Sequence, residues 1–294
     1  MSDAQAVEEG AGTMTEPTSG EAVASEPTAP AVPAAAGSKA QAAEAAPAAP
    51  TVVTATAPQA PVLELRDVVA GYGPFRALFG VSFEVAPGEA LALVGSNGVG
   101  KTTVARVASG LVTPTQGTVH VDGTDMTGAK PYRYARAGVA HATEGRSVFA
   151  TLTVEENLAL SFGRVRGKRG VREALEQAYE LFPVLGERRR QLAGSMSGGQ
   201  QRMLSMARVM VEVPKILVAD ELSLGLAPII VAELYEALRK LREQGTALLI
   251  VEQQVAHALD LCDRVVLLGH GSVEWTGASA DAGDVVTQAF EPAH

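Results

Sequence analysis

Two hydrophobic periods share the chain downstream of Pro61. VLELRDVV (62–69), VSFEV (81–85) and GTVHVDG (117–123) alternate apolar and polar positions, which predicts half-buried antiparallel strands. ALALVGS (90–96), ILVAD (216–220), ALLIVEQ (247–253) and RVVLLGH (264–270) are near-continuous apolar runs, the pattern of parallel strands covered on both faces. Between two of them, VAELYEALRKLREQG (231–245) repeats apolar residues at Val231, Leu234, Tyr235, Leu238 and Leu241. Pro228 stands just before it and Gly245 ends it, as a helix requires. Residues 153 to about 193 hold no strand-like run and are rich in helix formers (VEENLAL, VREALEQAYELF), so a helical insert is expected there. Strand, helix and strand over 216–253 predict an α/β domain built on a mostly parallel sheet. No repeat at solenoid spacing is present.

Composition divides the chain unevenly. Residues 1 to about 60 are almost entirely Ala, Pro, Glu, Thr, Gly, Ser, Gln and Val, with no aromatic residue and no Leu or Ile. Such a segment buries too little apolar surface to offset its chain entropy and is expected to be a disordered tail. Its charges are Asp3, Glu8, Glu9, Glu16, Glu21, Glu26 and Glu44 against Lys39, so it carries most of the chain's net −9. The remainder, 61–294, is close to neutral, which argues against a nucleic-acid partner held by bulk charge. The basic runs at Arg164–Arg172 and Arg188–Arg190 are flanked by helix-like sequence and read as solvated faces. No basic-then-apolar leader opens the chain, and no run of 18 apolar residues predicts a membrane span. The single cysteine, Cys262, allows no internal disulfide.

The chemistry lies at the ends of the apolar runs. GSNGVGKTT (95–103) fits G-x-x-x-x-G-K-[ST] and stands between a predicted strand and a helical segment. Gly95, Gly98 and Gly100 permit a tight loop whose N–H groups, with those of Ser96, Asn97 and Thr103, can face phosphate oxygens at a helix N-terminus. In this arrangement Lys101 reaches the β- and γ-phosphates of ATP and the Thr102 hydroxyl ligates Mg²⁺. A Gly-rich turn without a ligand is the bland alternative, and the strand before it and helix after it speak against that. ILVAD ends in Asp220, placed to complete the Mg²⁺ shell, and Glu221 follows as the base that polarises an attacking water.

SMSGGQQRMLSMARVM (195–210), standing between the phosphate loop and the Asp-Glu pair, resembles the signature of ABC-type ATPases. The resemblance covers about 61–294. It implies a P-loop NTPase with a parallel core, an antiparallel β subdomain and a helical subdomain inserted over about 150–205. It also implies that Ser197, Gly198, Gly199 and Gln200 face the γ-phosphate of ATP held by another subunit, two ATPs being sandwiched in a head-to-tail dimer. Tyr72, in AGYG, corresponds to the aromatic that stacks on adenine; a core tyrosine is the alternative. GRSVFATLTVEENL (145–158) resembles the segment that touches the membrane partner. Glu144 stands where most members have a glutamine bridging Mg²⁺ and the transport subunit. Gln253 stands where most have a γ-phosphate histidine, and His257, one turn on, is expected to be structural.

Glu144 in T-E-G-R, Gln253 in V-E-Q-Q and the phrase SLGLAPIIV together resemble the shorter ATPase of branched-chain amino-acid importers, whose relatives serve urea and related amides. The resemblance implies pairing with a longer ATPase, or a homodimer, at the cytoplasmic face of the membrane beneath two permeases, with an external solute-binding protein acting indirectly. Leu222 departs from the usual proline after the Asp-Glu pair, freeing a backbone N–H and φ, so a looser turn around Glu221 is expected. A poorly hydrolysing, ATP-gated binding module is the reading that Leu222 and Gln253 leave open. A non-transport member would carry two cores or a long coiled coil, and this chain has one core and a short insert.

Overall fold

The computed structural model describes residues 60–283 except 144, 146 and 254, together with 285. All fall in the unit Ala55–His294. The tail expected over 1–60 lies, but for its last residue, outside them. In chain order the elements are β1 (Leu63–Tyr72), β2 (Phe75–Val85), β3 (Ala90–Val94), α1 (Lys101–Ala108), β4 (Gln116–Val121), β5 (Thr124–Asp125), α2 (Pro131–Ala137) and β6 (Val139–Ala142). Helices α3 (Val154–Val165), α4 (Gly167–Leu181), α5 (Pro183–Glu187) and α6 (Gly198–Met210) follow. The chain then runs through β7 (Ile216–Asp220), α7 (Pro228–Glu243), β8 (Ala247–Glu252), α8 (Val255–Leu261), β9 (Arg264–Gly269) and β10 (Ser272–Ala278).

These strands form two sheets. The alternating segments make an antiparallel sheet in the order β2-β1-β4-β5, with Leu63 paired to Val85 on one side and Val121 on the other. The continuous apolar runs make the second sheet, in the order β10-β9-β3-β8-β7-β6. In it β3 lies parallel to β8 and β9, and β7 parallel to β6 and β8. β10 closes one edge antiparallel to β9. Both edge strands, β6 and β10, escape the hydropathy pattern because VAHA is short and SVEWTGA alternates only partly.

The central stretches of the parallel strands are apolar on both sides because each face is covered by a different layer. Along β3, Ala90, Ala92 and Val94 join one apolar cluster, while Leu91 and Leu93 join the other. On β8 the same alternation sends Leu248 and Ile250 to the first cluster and Ala247, Leu249 and Val251 to the second. The first cluster includes Leu158, Phe162, Met203, Leu204, Leu234 and Leu238 of α3, α6 and α7. The second includes Val104 and Val107 of α1 and the inner side chains Leu65, Val81 and Val119 of the antiparallel sheet. Fully burying side chains of this size contributes about 1.5–3 kcal/mol each, which makes this sheet the rigid floor on which its loops are set.

Helices α3, α4 and α5 leave this floor and return to it. Their base is closed by an antiparallel bridge between Thr153 and Leu192, with Val154 N donating to Gln191 O at 3.0 Å and Ala193 N to Leu152 O at 2.9 Å. α3 starts at a capping box: Thr153 Oγ1 accepts from Glu156 N at 3.2 Å, and Thr153 N donates to Glu156 Oε2 at 2.7 Å. Arg188, Arg189 and Arg190 are exposed, as a solvated basic face should be.

Candidate active site

The carboxyl ends of β3, β7 and β8 lie side by side, with Val94 opposite Glu252 and Asp220 opposite Val251. Ligand sites of open parallel sheets form at this edge. The loop leaving β3 turns tightly through Gly98 (φ 82°) and Gly100 (φ 108°), and Gly100 caps the N-terminus of α1. Ser96, Asn97 and Gly98 are exposed, whereas Gly95, Lys101 and Thr103 are buried. The Lys101 ammonium donates to the carbonyls of Gly95 (2.9 Å) and Ser96 (3.0 Å) and lies 3.9 Å from Glu221 Oε1. Burial pushes the Lys101 pKa down, while Glu221, Asp220 and Glu252 pull it back up.

Asp220 ends β7 as a buried carboxylate, and Thr102 Oγ1 donates to its Oδ1 at 3.3 Å. Two hard oxygen donors side by side, at a loop shaped for phosphates, fit Mg²⁺, which keeps waters and phosphate oxygens as its other ligands. Glu221 is held in the left-handed region (φ 48°), where a non-glycine residue stores about 1–2 kcal/mol. Its N–H donates to Val251 O at 2.9 Å, which anchors that conformation to β8. Leu222 is 1 % exposed and packs in the first apolar cluster. Ser223 is bonded to Glu252, by its N–H at 3.0 Å and its hydroxyl at 2.8 Å. The turn expected to be loosened by Leu222 is therefore fastened on both sides of that residue.

Ser197 is the N-cap of α6. Its hydroxyl accepts from Gln200 N at 3.3 Å and its N–H donates to Gln200 Oε1 at 3.2 Å, a second capping box. Gly198 and Gly199 thus open the helix, and a side chain on Gly199 would meet Ile230 of α7 at 3.1 Å. Tyr72 is 44 % exposed at the end of β1, not in the core; its hydroxyl accepts from Arg106 at 3.0 Å and that guanidinium lies 5.8 Å from its ring centre. Gln253 is exposed just beyond β8, and Glu144 lies outside the described residues. The ring of His257 packs on Tyr235 with centroids 5.3 Å apart.

Sequence reasoning passed over two buried residues, one at this site and one that fastens the segment before α3. Arg202, four per cent exposed on α6, donates to the carbonyls of Asp220 (3.0 Å) and Glu221 (2.9 Å) and to those of Thr143 and Gly145. One guanidinium thus joins α6, the main chain of Asp220 and Glu221, and the segment after β6. Asn157 is fully buried: its Oδ1 accepts from Phe149 N at 2.8 Å, and its amide donates to Phe149 O, Leu152 O and Thr153 O. Arg208 adds a hydrogen bond to Ser147 O and lies 5.2 Å from the centre of the Phe149 ring. An arginine three residues past Gly199 and an Asn inside a helical segment were the available signals, but neither names its partners.

The parallel sheet, its phosphate loop and the Asp-Glu strand end define a P-loop nucleotide hydrolase. The ABC transporter family matches residues 78–223. The chain is 39 % identical over 231 residues to the high-affinity branched-chain amino acid transport ATP-binding protein BraG of Pseudomonas aeruginosa, covering 78 % of this chain and 99 % of that one. A probable branched-chain amino acid transport ATP-binding protein, LivF of Archaeoglobus fulgidus, is 34 % identical over 211 residues, 71 % of this chain and 89 % of the relative. The lipopolysaccharide export system ATP-binding protein LptB of Haemophilus influenzae is 31 % identical over 218 residues, 74 % and 90 %.

Among solved structures, an ATP binding subunit of an ABC transporter superposes with a TM-score of 0.68 at 27 % identity, covering 78 % of this chain and 95 % of that one. A dimeric, post-hydrolysis ATP-binding cassette bound to ADP and phosphate superposes at 0.67 with 22 % identity, covering 74 % and 98 %. This chain belongs to the ATP-binding subunits of ABC transporters. It is an ATP-hydrolysing transporter subunit, and no helix among its described residues is long and apolar enough to cross a membrane.

Proposed function

We propose that this chain hydrolyses Mg-ATP to energise an importer of branched-chain amino acids. The observation that carries the catalytic part is the meeting, at one sheet edge, of Thr102 with Asp220 at 3.3 Å and Lys101 with Glu221 at 3.9 Å. The loop 95–103 cradles the phosphates, Lys101 pairs with the β- and γ-phosphates, and Tyr72 receives the adenine. Thr102 and Asp220, with Glu144, would hold Mg²⁺, which when bound would neutralise charge on the phosphate oxygens. Glu221 accepts a proton from the water that attacks the γ-phosphorus, the bond to the β,γ-bridging oxygen breaks, and ADP and phosphate leave. Gln253 offers its side-chain amide to the γ-phosphate.

The signature residues Ser197, Gly198, Gly199 and Gln200 act on ATP bound by a second cassette, in a head-to-tail dimer with a longer ATPase or with another copy of this chain. Positions 61–294 form the cassette, about 150–205 its helical subdomain, and 1–60 a separate tail. The dimer docks at the cytoplasmic face against two permeases fed by an external binding protein. Support for the solute comes from the similarity to BraG and LivF and from the T-E-G-R, V-E-Q-Q and SLGLAPIIV segments.

The test is the transporter assembled in liposomes with its permeases and partner ATPase. Solute-stimulated ATP hydrolysis should fall at least a hundredfold in Glu221→Gln while nucleotide binding persists, and external leucine, isoleucine or valine should be taken up. Equal hydrolysis by the variant would remove Glu221 from the reaction. Uptake of urea in place of the amino acids would move the solute assignment.

A further inference from the structure

Glu252 is a buried carboxylate that the reaction above does not use. It ends β8, 1 % exposed, between Val251, which accepts the Glu221 N–H, and Gln253. Its Oε1 accepts from Ser223 N at 3.0 Å and from the Tyr235 hydroxyl at 3.5 Å, and its Oε2 accepts from Ser223 Oγ at 2.8 Å. Burial pushes its pKa up, against the lowering by the Ser223 hydroxyl and by the Ser223 and Gln253 main-chain amides. A carboxylate taken this far from water is costly, and a leucine would fill the same space without that cost. What the carboxylate supplies that a leucine cannot is a set of acceptors directed at one loop.

Those acceptors close a short circuit. Glu221 is two residues before Ser223, Gln253 is one residue after Glu252, and the Ser223–Glu252 pair joins the two stretches. Together with the Glu221 N–H to Val251 O bond, it holds the left-handed turn at Glu221 against β8 at two points. Tyr235 extends the same contact to α7, the helix that follows the turn, and α7 also meets the signature at Ile230 and Gly199. We propose that Glu252 is a positioning residue for ATP hydrolysis: through Ser223 it sets the placement of the Glu221 carboxylate relative to Gln253. The inference rests on the roles proposed above for those two residues.

The bonds of the clamp go to Ser223 and Tyr235 rather than to the loop 95–103, so its loss should affect turnover far more than ATP affinity. The experiment uses the full-length chain in the assembled transporter, measuring kcat and KM for ATP and, separately, the binding of a fluorescent ATP analogue. Ser223→Ala should lower kcat at least threefold, and Glu252→Leu at least tenfold, with KM and analogue affinity within twofold of the parent. Glu252→Gln keeps an acceptor for Ser223 N, and the Ser223 hydroxyl can turn to accept from its amide, so kcat should recover to within threefold. The Ser223→Ala/Glu252→Leu double variant should be no slower than Glu252→Leu, because both changes break one contact.

Unchanged kcat in Ser223→Ala, effects that multiply in the double variant, or parallel losses of kcat and analogue affinity would each overturn the proposal. Should Glu252→Leu not fold, the kcat of Ser223→Ala and Glu252→Gln decides it. If the parent hydrolyses ATP no faster than Glu221→Gln, the reading of Glu221 fails first. If Glu221→Gln is inactive while the Ser223 and Glu252 variants match the parent, only the present inference fails.

Discussion

Replacing Arg202 by methionine removes a buried guanidinium while keeping most of the side-chain volume and the helix propensity of α6. Among the described residues, four carbonyl oxygens lose a charged donor: those of Thr143, Gly145, Asp220 and Glu221. Each such bond is worth about 1.5–3 kcal/mol in isolation, but bonds to one group are not additive and water can reach the Gly145 side. A net loss of about 3–5 kcal/mol follows, typical of a broken buried network. For a domain of this size about 2–4 °C of melting temperature accompanies each kcal/mol, so Tm should fall by about 6 °C or more. Arg202→Lys keeps the charge but not the fork, and should fall about midway. Urea unfolding monitored by circular dichroism gives the free energy, and ATP hydrolysis in the assembled transporter gives the consequence at Glu221. Stability within about 1 kcal/mol of the parent together with full turnover would refute the idea that this side chain joins α6 to the carboxylate turn.

Other substitutions separate local from distant effects. Gly98→Ala adds a methyl with no atom within 4 Å at φ 82°, so only about 1–2 kcal/mol of backbone strain results. Gly100→Ala sets the same methyl 2.8 Å from Ala77 O and from Leu78 Cδ2, so titration with a fluorescent ATP analogue should show the larger loss of affinity at position 100. Burial, and secondarily Arg106, push the His141 pKa from its ordinary value down to about 4, so the folded protein keeps this ring neutral. Below pH 6.5 the unfolded chain takes up the proton first, and up to about 3 kcal/mol of stability is lost as pH falls to about 4. Melting curves should therefore drop less between pH 7 and pH 4 in His141→Asn than in the parent. Thr153→Ala breaks the α3 capping box and should lower stability by about 1 kcal/mol, seen in denaturant midpoints, with ATP-analogue binding unchanged.

Much of the site is legible in single contiguous stretches because its parts are local in the chain. A phosphate loop needs glycines, a lysine and a hydroxyl at fixed short spacing between a strand and a helix, and 95–103 supplies them. Asp220 and Glu221 follow at a strand end for the same reason, and the alternating and continuous apolar runs separate the antiparallel sheet from the parallel one. Hydropathy stops there. A run such as ALALV is apolar on both sides, so nothing in it tells which side meets α1 and which meets α6; that division arises only when the helices are packed. The short edge strand β6 has too few residues to show a period at all.

The supports of the site belong to the folded state alone. Arg202 reaches carbonyls 18, 19, 57 and 59 positions away, and Glu252 meets Ser223 across 29. A side chain's type does not encode partners at such distances, since they are set by strand order and by how closely α6 and α7 cross the sheet edge. Leu222 shows the difference most directly. In the chain it reads as a freed turn where a proline would stiffen the backbone; in the fold its side chain is buried and the next residue is tied to a carboxylate on β8. Local chemistry is written in neighbouring residues, while the tension of the turn at Glu221 depends on contacts that exist only after the sheet has closed.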